Sequence, residues 1–93
     1  MRYSHQKELI EEVIADVKLE DGKDLIVFND DHNTFDHVIQ TLIKICKHTS
    51  EQAEQCTYII HYRGKCVVKS GSFSDLKPMK EGITDAGIGA AIF

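Results

Sequence analysis

The chain has no long apolar run. None of its stretches approaches the ~20 consecutive apolar residues that a helix needs to cross a bilayer, so no membrane role is expected. Its opening residues, MRYSHQKELIEEV, contain no apolar segment of the kind that marks a secretory signal. A clustered basic face is missing too. Net charge is -4, and Arg63, Lys65, Lys69 and Lys77 are dispersed, which argues against nucleic acid as a partner. The three cysteines include no C-x₂-C pair, and Cys46-x-His48 is tighter than ordinary zinc-ligand spacing, so no metal or other cofactor is expected. Each of Cys46, Cys56 and Cys66 sits in an apolar pattern. We read them as reduced, buried thiols of a cytoplasmic protein. Internal repeats are absent as well.

What is present is an ordinary globular balance, 42% hydrophobic and 28% charged, in 93 residues. That length makes one domain with one small core. DLIVF (24–28) reads as a strand covered on at least one side. From Phe35, the apolar positions Phe35, Val38, Ile39, Leu42, Ile43, Ile45 and Cys46 recur near every 3.6 residues and predict a helix, with Thr34 as N-cap and Asp36 in its first turn. A second helix starts at Thr49 or Ser50 and ends at Gly64, the two helices forming an antiparallel hairpin. KCVVKS (65–70) reads as a strand. FSDLKPMKEGITDAG reads as a short third helix, capped by Ser74 or opened by Pro78, weakened by Gly82 and ended by Gly87. IGAAIF (88–93) closes the chain as a strand. The order β-α-α-β-α-β predicts an α+β two-layer sandwich, with a small three-stranded antiparallel sheet packed on helices. Residues 23–93 form this core. Residues 1–22 read as a mobile acidic tail, although Asp21-Gly22 between apolar runs is also a hairpin cue that would add an edge strand.

Between the first strand and the first helix the sequence crowds Asn29, Asp30, Asp31, His32, Asn33 and Thr34. Asn and Asp are common turn residues, so a solvated turn with a helix cap accounts for this corner by itself. Catalysis finds little support. Cys56 and His61 are five apart on one helix, a separation that does not bring their side chains together, and the adjacent Asp30 and Asp31 diverge. We therefore expect no enzyme. The corner gains interest beside the second helix, where Thr57, Ile60 and His61 share one face at i, i+3 and i+4. If that face leans toward the start of the first helix, His61 approaches Asn29 and Asp30, while Thr57 and Ile60 face Phe35 and Val38. The result would be a small apolar pocket with hydrogen-bond acceptors at its mouth.

LIVFNDDHNTFDHVIQTLI followed about thirty residues later by HYRGKC resembles the ClpS family, adaptors of the ATP-dependent Clp protease. The ordered set Asn29-Asp30-Asp31, Ala53, His61, Gly64 and Lys65 carries the likeness. It implies a non-enzymatic adaptor that binds substrate proteins bearing a large hydrophobic N-terminal residue (an N-degron) and delivers them to a Clp-family AAA+ unfoldase. In that family the α-amino group is held by residues matching Asn29, Asp30 and His61. The side chain enters a pocket matched here by Phe35, Val38, Thr57 and Ile60, with Ile88 on the last strand completing it. The third helix docks on the unfoldase, which makes Lys77 a contact, and the N-terminal extension assists delivery. Two departures bear on specificity: Asn33-Thr34-Phe35 replaces the usual T-P-M, putting Phe35 where a methionine normally rims the pocket, and Thr57 replaces another methionine.

The physical chemistry is consistent with that role. An α-ammonium offers three donors and a positive charge, and Asn29 supplies a carbonyl oxygen, Asp30 a carboxylate. His61 accepts only while neutral. Burying one Leu- or Phe-sized side chain contributes roughly 1.5–3 kcal/mol and each charge-assisted bond about 1.5–3, so only the two together select a bulky residue that is also N-terminal. The alternative is a general interaction module of similar fold, resembling the ribosomal stalk protein's C-terminal domain, with no amino-acid pocket. A small metal- or acid–base enzyme is a third reading.

Overall fold

In the computed structural model of the chain, residues 22–93 are described. Three strands and three helices follow one another as β1 (Lys23–Phe28), α1 (Phe35–Cys46), α2 (Ser50–Arg63), β2 (Lys65–Gly71), α3 (Phe73–Asp85) and β3 (Ala90–Ile92). This is the expected β-α-α-β-α-β order. The readings of residues 1–21 as a tail or as a hairpin strand lie outside the described residues.

The sheet runs β2-β1-β3, both pairs antiparallel. In β1, Leu25 and Val27 alternate toward the helices and are fully buried. Against them pack Leu42 and Cys46 of α1, Ala53 and Ile60 of α2, and Leu76 and Ile83 of α3. One bulge interrupts the ladder. The β1–β2 register slips between Leu25 and Ile26, leaving Val68 without a cross-strand partner. The Val68 carbonyl instead accepts from Nε2 of buried His48 at 2.8 Å, which stitches the α1–α2 turn to β2. Among the described residues the other ring nitrogen, Nδ1, is buried and has no hydrogen-bond partner.

Local signals set the helix ends. Thr34 Oγ1 accepts from His37 N at 3.1 Å, and Thr49, not Ser50, caps α2 through a reciprocal capping box with Gln52. Gly64 ends α2 at φ 94°, which only glycine adopts cheaply.

The start of α3 differs from expectation. Neither Ser74 nor Pro78 opens it; Ser72 is the cap, accepting from Asp75 N at 3.1 Å, and Pro78 lies inside the helix. Ser72 directly follows the last residue of β2, so the chain turns a full residue pair earlier than Ser74 would allow. The N–H that proline lacks would have met the Ser74 carbonyl in the first turn, where Ser74 is open to solvent. Gly82 also has a use. A Cβ there would stand 2.9 Å from Ile45 Cδ1, so its absence lets α3 close on α1.

The last strand is shorter than 88–93. Ile88 N bonds to Ile83 O at 3.2 Å, which keeps Ile88 in the turn that ends α3 rather than in β3. Asp24 and Phe93 exchange backbone hydrogen bonds at 3.0 and 2.8 Å, so pairing with β1 continues to the C-terminal residue.

Candidate functional site

The corner after β1 is built around one carboxylate. Asp30 Oδ1 accepts from the backbone N–H of His32 at 2.8 Å and of Asn33 at 2.9 Å, and Oδ2 accepts from Asn33 Nδ2 at 2.7 Å. These bonds stabilise the charged form, the Asn33 backbone N–H foremost, and hold the Asp30 carboxyl below its ordinary pKa. It is ionised throughout the neutral range. Among the described residues Oδ2 accepts one bond only, so it keeps capacity for a further donor.

Three contacts anchor the corner to the rest of the molecule. Asn29 N donates to the Gly64 carbonyl at 2.9 Å, which ties the end of β1 to the end of α2. Asn33 Nδ2 also donates to Gly87 O at 3.0 Å, and His37 Nε2 meets Ala86 O at 2.9 Å, so the turn after α3 braces the start of α1. The Asn33 role was not anticipated. Its only sequence signal is an amide side chain three residues after an aspartate, within a run of turn-forming residues.

The backbone bond between Asn29 and Gly64 brings the last turn of α2 against the corner. The outcome is a hollow of about 330 Å³ lined by Asn29, Asp30, Asp31, Asn33, Thr34, Phe35, Val38, Thr57, Ile60 and His61. That volume lies near the lower end of small-ligand cavities, ~300–1,000 Å³. Val38, Thr57 and Ile60 are buried beneath it, Phe35 is half-buried, and Asn29 and His61 are exposed at the mouth. Thr57 adds no unpaired donor, because its hydroxyl donates to Ala53 O at 2.7 Å within its own helix. Seven of the expected residues, Asn29, Asp30, Phe35, Val38, Thr57, Ile60 and His61, therefore meet around one cavity.

Two do not. Ile88 is buried in the core, 3% exposed, and is not among the lining residues, because it belongs to the turn after α3 and not to the last strand. Lys77, the expected unfoldase contact, lies on the exposed face of α3, paired with Glu81 at 3.4 Å, and lines a second groove with Phe73, Lys80, Glu81 and Ala90–Ile92. That groove shares no residue with the cavity.

Among the described residues His61, unlike Asp30, has no side-chain hydrogen-bond partner. Its ring stands edge-on to Phe35, centroids 5.1 Å apart, and to Tyr62 at 4.8 Å. Tyr58 completes the set, 5.3 Å from Phe35 and stacked on Tyr62 at 6.0 Å with 6° between planes.

The cysteines stand apart from this site. All three are free thiols, but only Cys46 is fully buried; Cys56 and Cys66 are half-buried. Desolvation pushes Cys46 up to about 11 and Cys66 up to about 12, and it raises Cys56 as well, so none is a poised nucleophile. Among the described residues no cluster of three or more metal-ligating side chains occurs, and no helix is long and apolar enough to cross a membrane.

The fold and cavity define a small α+β domain with a polar-mouthed apolar hollow between its helix hairpin and the end of its central strand. Comparison with known proteins places that domain. The family described as ATP-dependent Clp protease adaptor protein ClpS matches residues 20–88. The chain belongs to this family of Clp protease adaptors, an adaptor family and not an enzyme family. It is 38% identical over 65 residues to the ATP-dependent Clp protease adapter protein ClpS of Thermosynechococcus vestitus, covering 69% of each chain. A 58-residue match, also 38% identical, joins 62% of this chain to E3 ubiquitin-protein ligase UBR1 of Drosophila melanogaster, of which it spans 3%. In fold it resembles Agrobacterium tumefaciens ClpS2 bound to L-phenylalaninamide, with TM-score 0.67 and 15% identity over 78% of this chain and 95% of that one.

Proposed function

We propose that the cavity captures the first residue of substrate proteins when that residue is large and hydrophobic, and that the chain hands those substrates to a Clp-family AAA+ unfoldase in the cytoplasm. The observation that carries this reading is the joint presence, in one hollow, of an apolar floor and a mouth rich in acceptors. The α-ammonium meets Asn29, Asp30 and His61. Asp30 supplies the ionised partner through Oδ2, and neutral His61 supplies a lone pair. The side chain descends onto Val38, Thr57 and Ile60 with Phe35 as one wall. An internal residue lacks the ammonium, and a small first residue leaves the floor wet, so neither satisfies both halves of the site.

The fold neighbour supports this reading, since phenylalaninamide is one bulky residue with a free α-amino group. The test is fluorescence anisotropy with peptides beginning Leu, Phe, Tyr, Trp or Ala. Tight binding of the first four, lost on N-acetylation, is expected. Equal binding of free and acetylated peptides would instead favour an interaction module without an amino-acid pocket.

Handover needs a second surface, and Lys77 on α3 is our candidate for the unfoldase contact. Its groove is separate from the cavity, so one chain can hold substrate and partner together. Lys77→Glu is expected to abolish co-sedimentation with the unfoldase while peptide affinity stays unchanged.

A further inference from the structure

Four rings on the outer wall of the cavity close a circuit. Phe35 contacts Tyr58 at 5.3 Å, Tyr58 stacks on Tyr62 at 6.0 Å, Tyr62 meets His61 at 4.8 Å, and His61 returns to Phe35 at 5.1 Å. Phe35 and His61 also line the hollow, whereas Tyr58 and Tyr62 do not. Those two rings are 52% and 74% exposed, among the most exposed large apolar side chains in the described residues. The circuit is therefore half wall and half open shelf.

The geometry points to the Tyr58–Tyr62 pair as a second subsite that takes the side chain of the substrate's second residue, preferring aromatic or other large apolar groups. This inference rests on the proposed capture of an N-terminal residue in the cavity. Consecutive Cα atoms are about 3.8 Å apart, so a residue bonded to one seated in the hollow must leave across its rim. On the helix side that rim is Phe35 of α1 and His61 of α2, and the next surface outward is the tyrosine pair. Tyr58 and Tyr62 stand four apart on α2, so they already stack and present a preordered apolar face. Aromatic pairing rewards a planar partner beyond simple burial, and two-torsion side chains lose little freedom on contact. Asp31 on the β1 side of the mouth further disfavours an acidic second residue.

The experiment compares peptides that differ only at the second position, Leu-Phe, Leu-Gly and Leu-Asp, against the wild-type chain, the Tyr58→Ala/Tyr62→Ala double variant and Tyr58→Phe. Wild type is expected to prefer Leu-Phe over Leu-Gly by about fivefold, with Leu-Asp weakest. The double variant should bind Leu-Gly as wild type does but lose the preference, and Tyr58→Phe should keep it. Both tyrosines are exposed, so the variants are expected to fold. Equal wild-type affinity for Leu-Phe and Leu-Gly overturns the subsite. So does a double variant that weakens all three peptides by the same factor, since the rings would then only hold Phe35 and His61 in place. If no Leu peptide binds wild type at all, the reading of the cavity fails first.

Discussion

The two sides of the cavity mouth are built on opposite principles. On the β1 side, Asp30 is locked by three hydrogen bonds from His32 and Asn33, and the corner is bolted to Gly64, Ala86 and Gly87. On the α2 side, His61 is exposed and, among the described residues, is held by ring contacts with Phe35 and Tyr62. A carboxylate fixed by hydrogen bonds next to an exposed imidazole suits an ammonium. The carboxylate supplies the charge, and the ring offers a lone pair when it accepts. The difference also separates stability from binding, because one side is part of the fold and the other is not.

Breaking the hydrogen-bonded side should have the largest effect. Asp30→Ala removes a carboxylate that three donors depend on, so peptide binding should be lost together with roughly 1–2 kcal/mol of stability. A thermal melt beside the binding curve checks both. His61→Ala should weaken binding by about tenfold or more while the melt moves hardly at all; a large drop in melting temperature would show the ring to be structural. Gly64→Ala forces a left-handed Cβ at the joint between the two sides and should cost about 1 kcal/mol with a smaller loss of affinity.

The comparison can be sharpened by pH. Asp30 has a depressed folded pKa, so its stabilisation is complete above the ordinary carboxylate range, near 4, and is lost as pH falls through the folded value. Asp30→Asn should therefore melt below wild type at pH 7, with the gap narrowing toward pH 3. A gap that is constant with pH would mean the charge contributes nothing. The smallest effect is expected far from the mouth. With all three thiols held protonated, iodoacetamide at pH 7.5 should label the native chain slowly and leave peptide binding intact.

Much of this architecture was legible in the residues. Thr34, Thr49 and Gly64 are strong cap signals, and the spacing of Phe35, Val38 and Leu42 against Thr57, Ile60 and His61 put both cavity walls on facing helices. What escaped reading shares a physical reason: choice among near-equal local options, decided by contacts distant in sequence. Ser72 and Ser74 can both cap a helix, and the end of β2 decided between them. Ile88 looks like strand, yet its amide is claimed by Ile83. The internal bonding of Asp30 was hidden because an aspartate in a turn and an aspartate awaiting a ligand have the same sequence. Tyr58 and Tyr62 left a trace, an i, i+4 aromatic pair on a polar face, that pattern reading for buried stripes passes over.

The most direct measurement is a pair of anisotropy titrations with one Leu-initiated peptide, its α-amino group free in one and acetylated in the other. A free amine should bind tightly and the acetylated form should fall below detection, since acetylation deletes the charge and two donors that the mouth requires. Equal curves would mean that the mouth does not read an α-amino group.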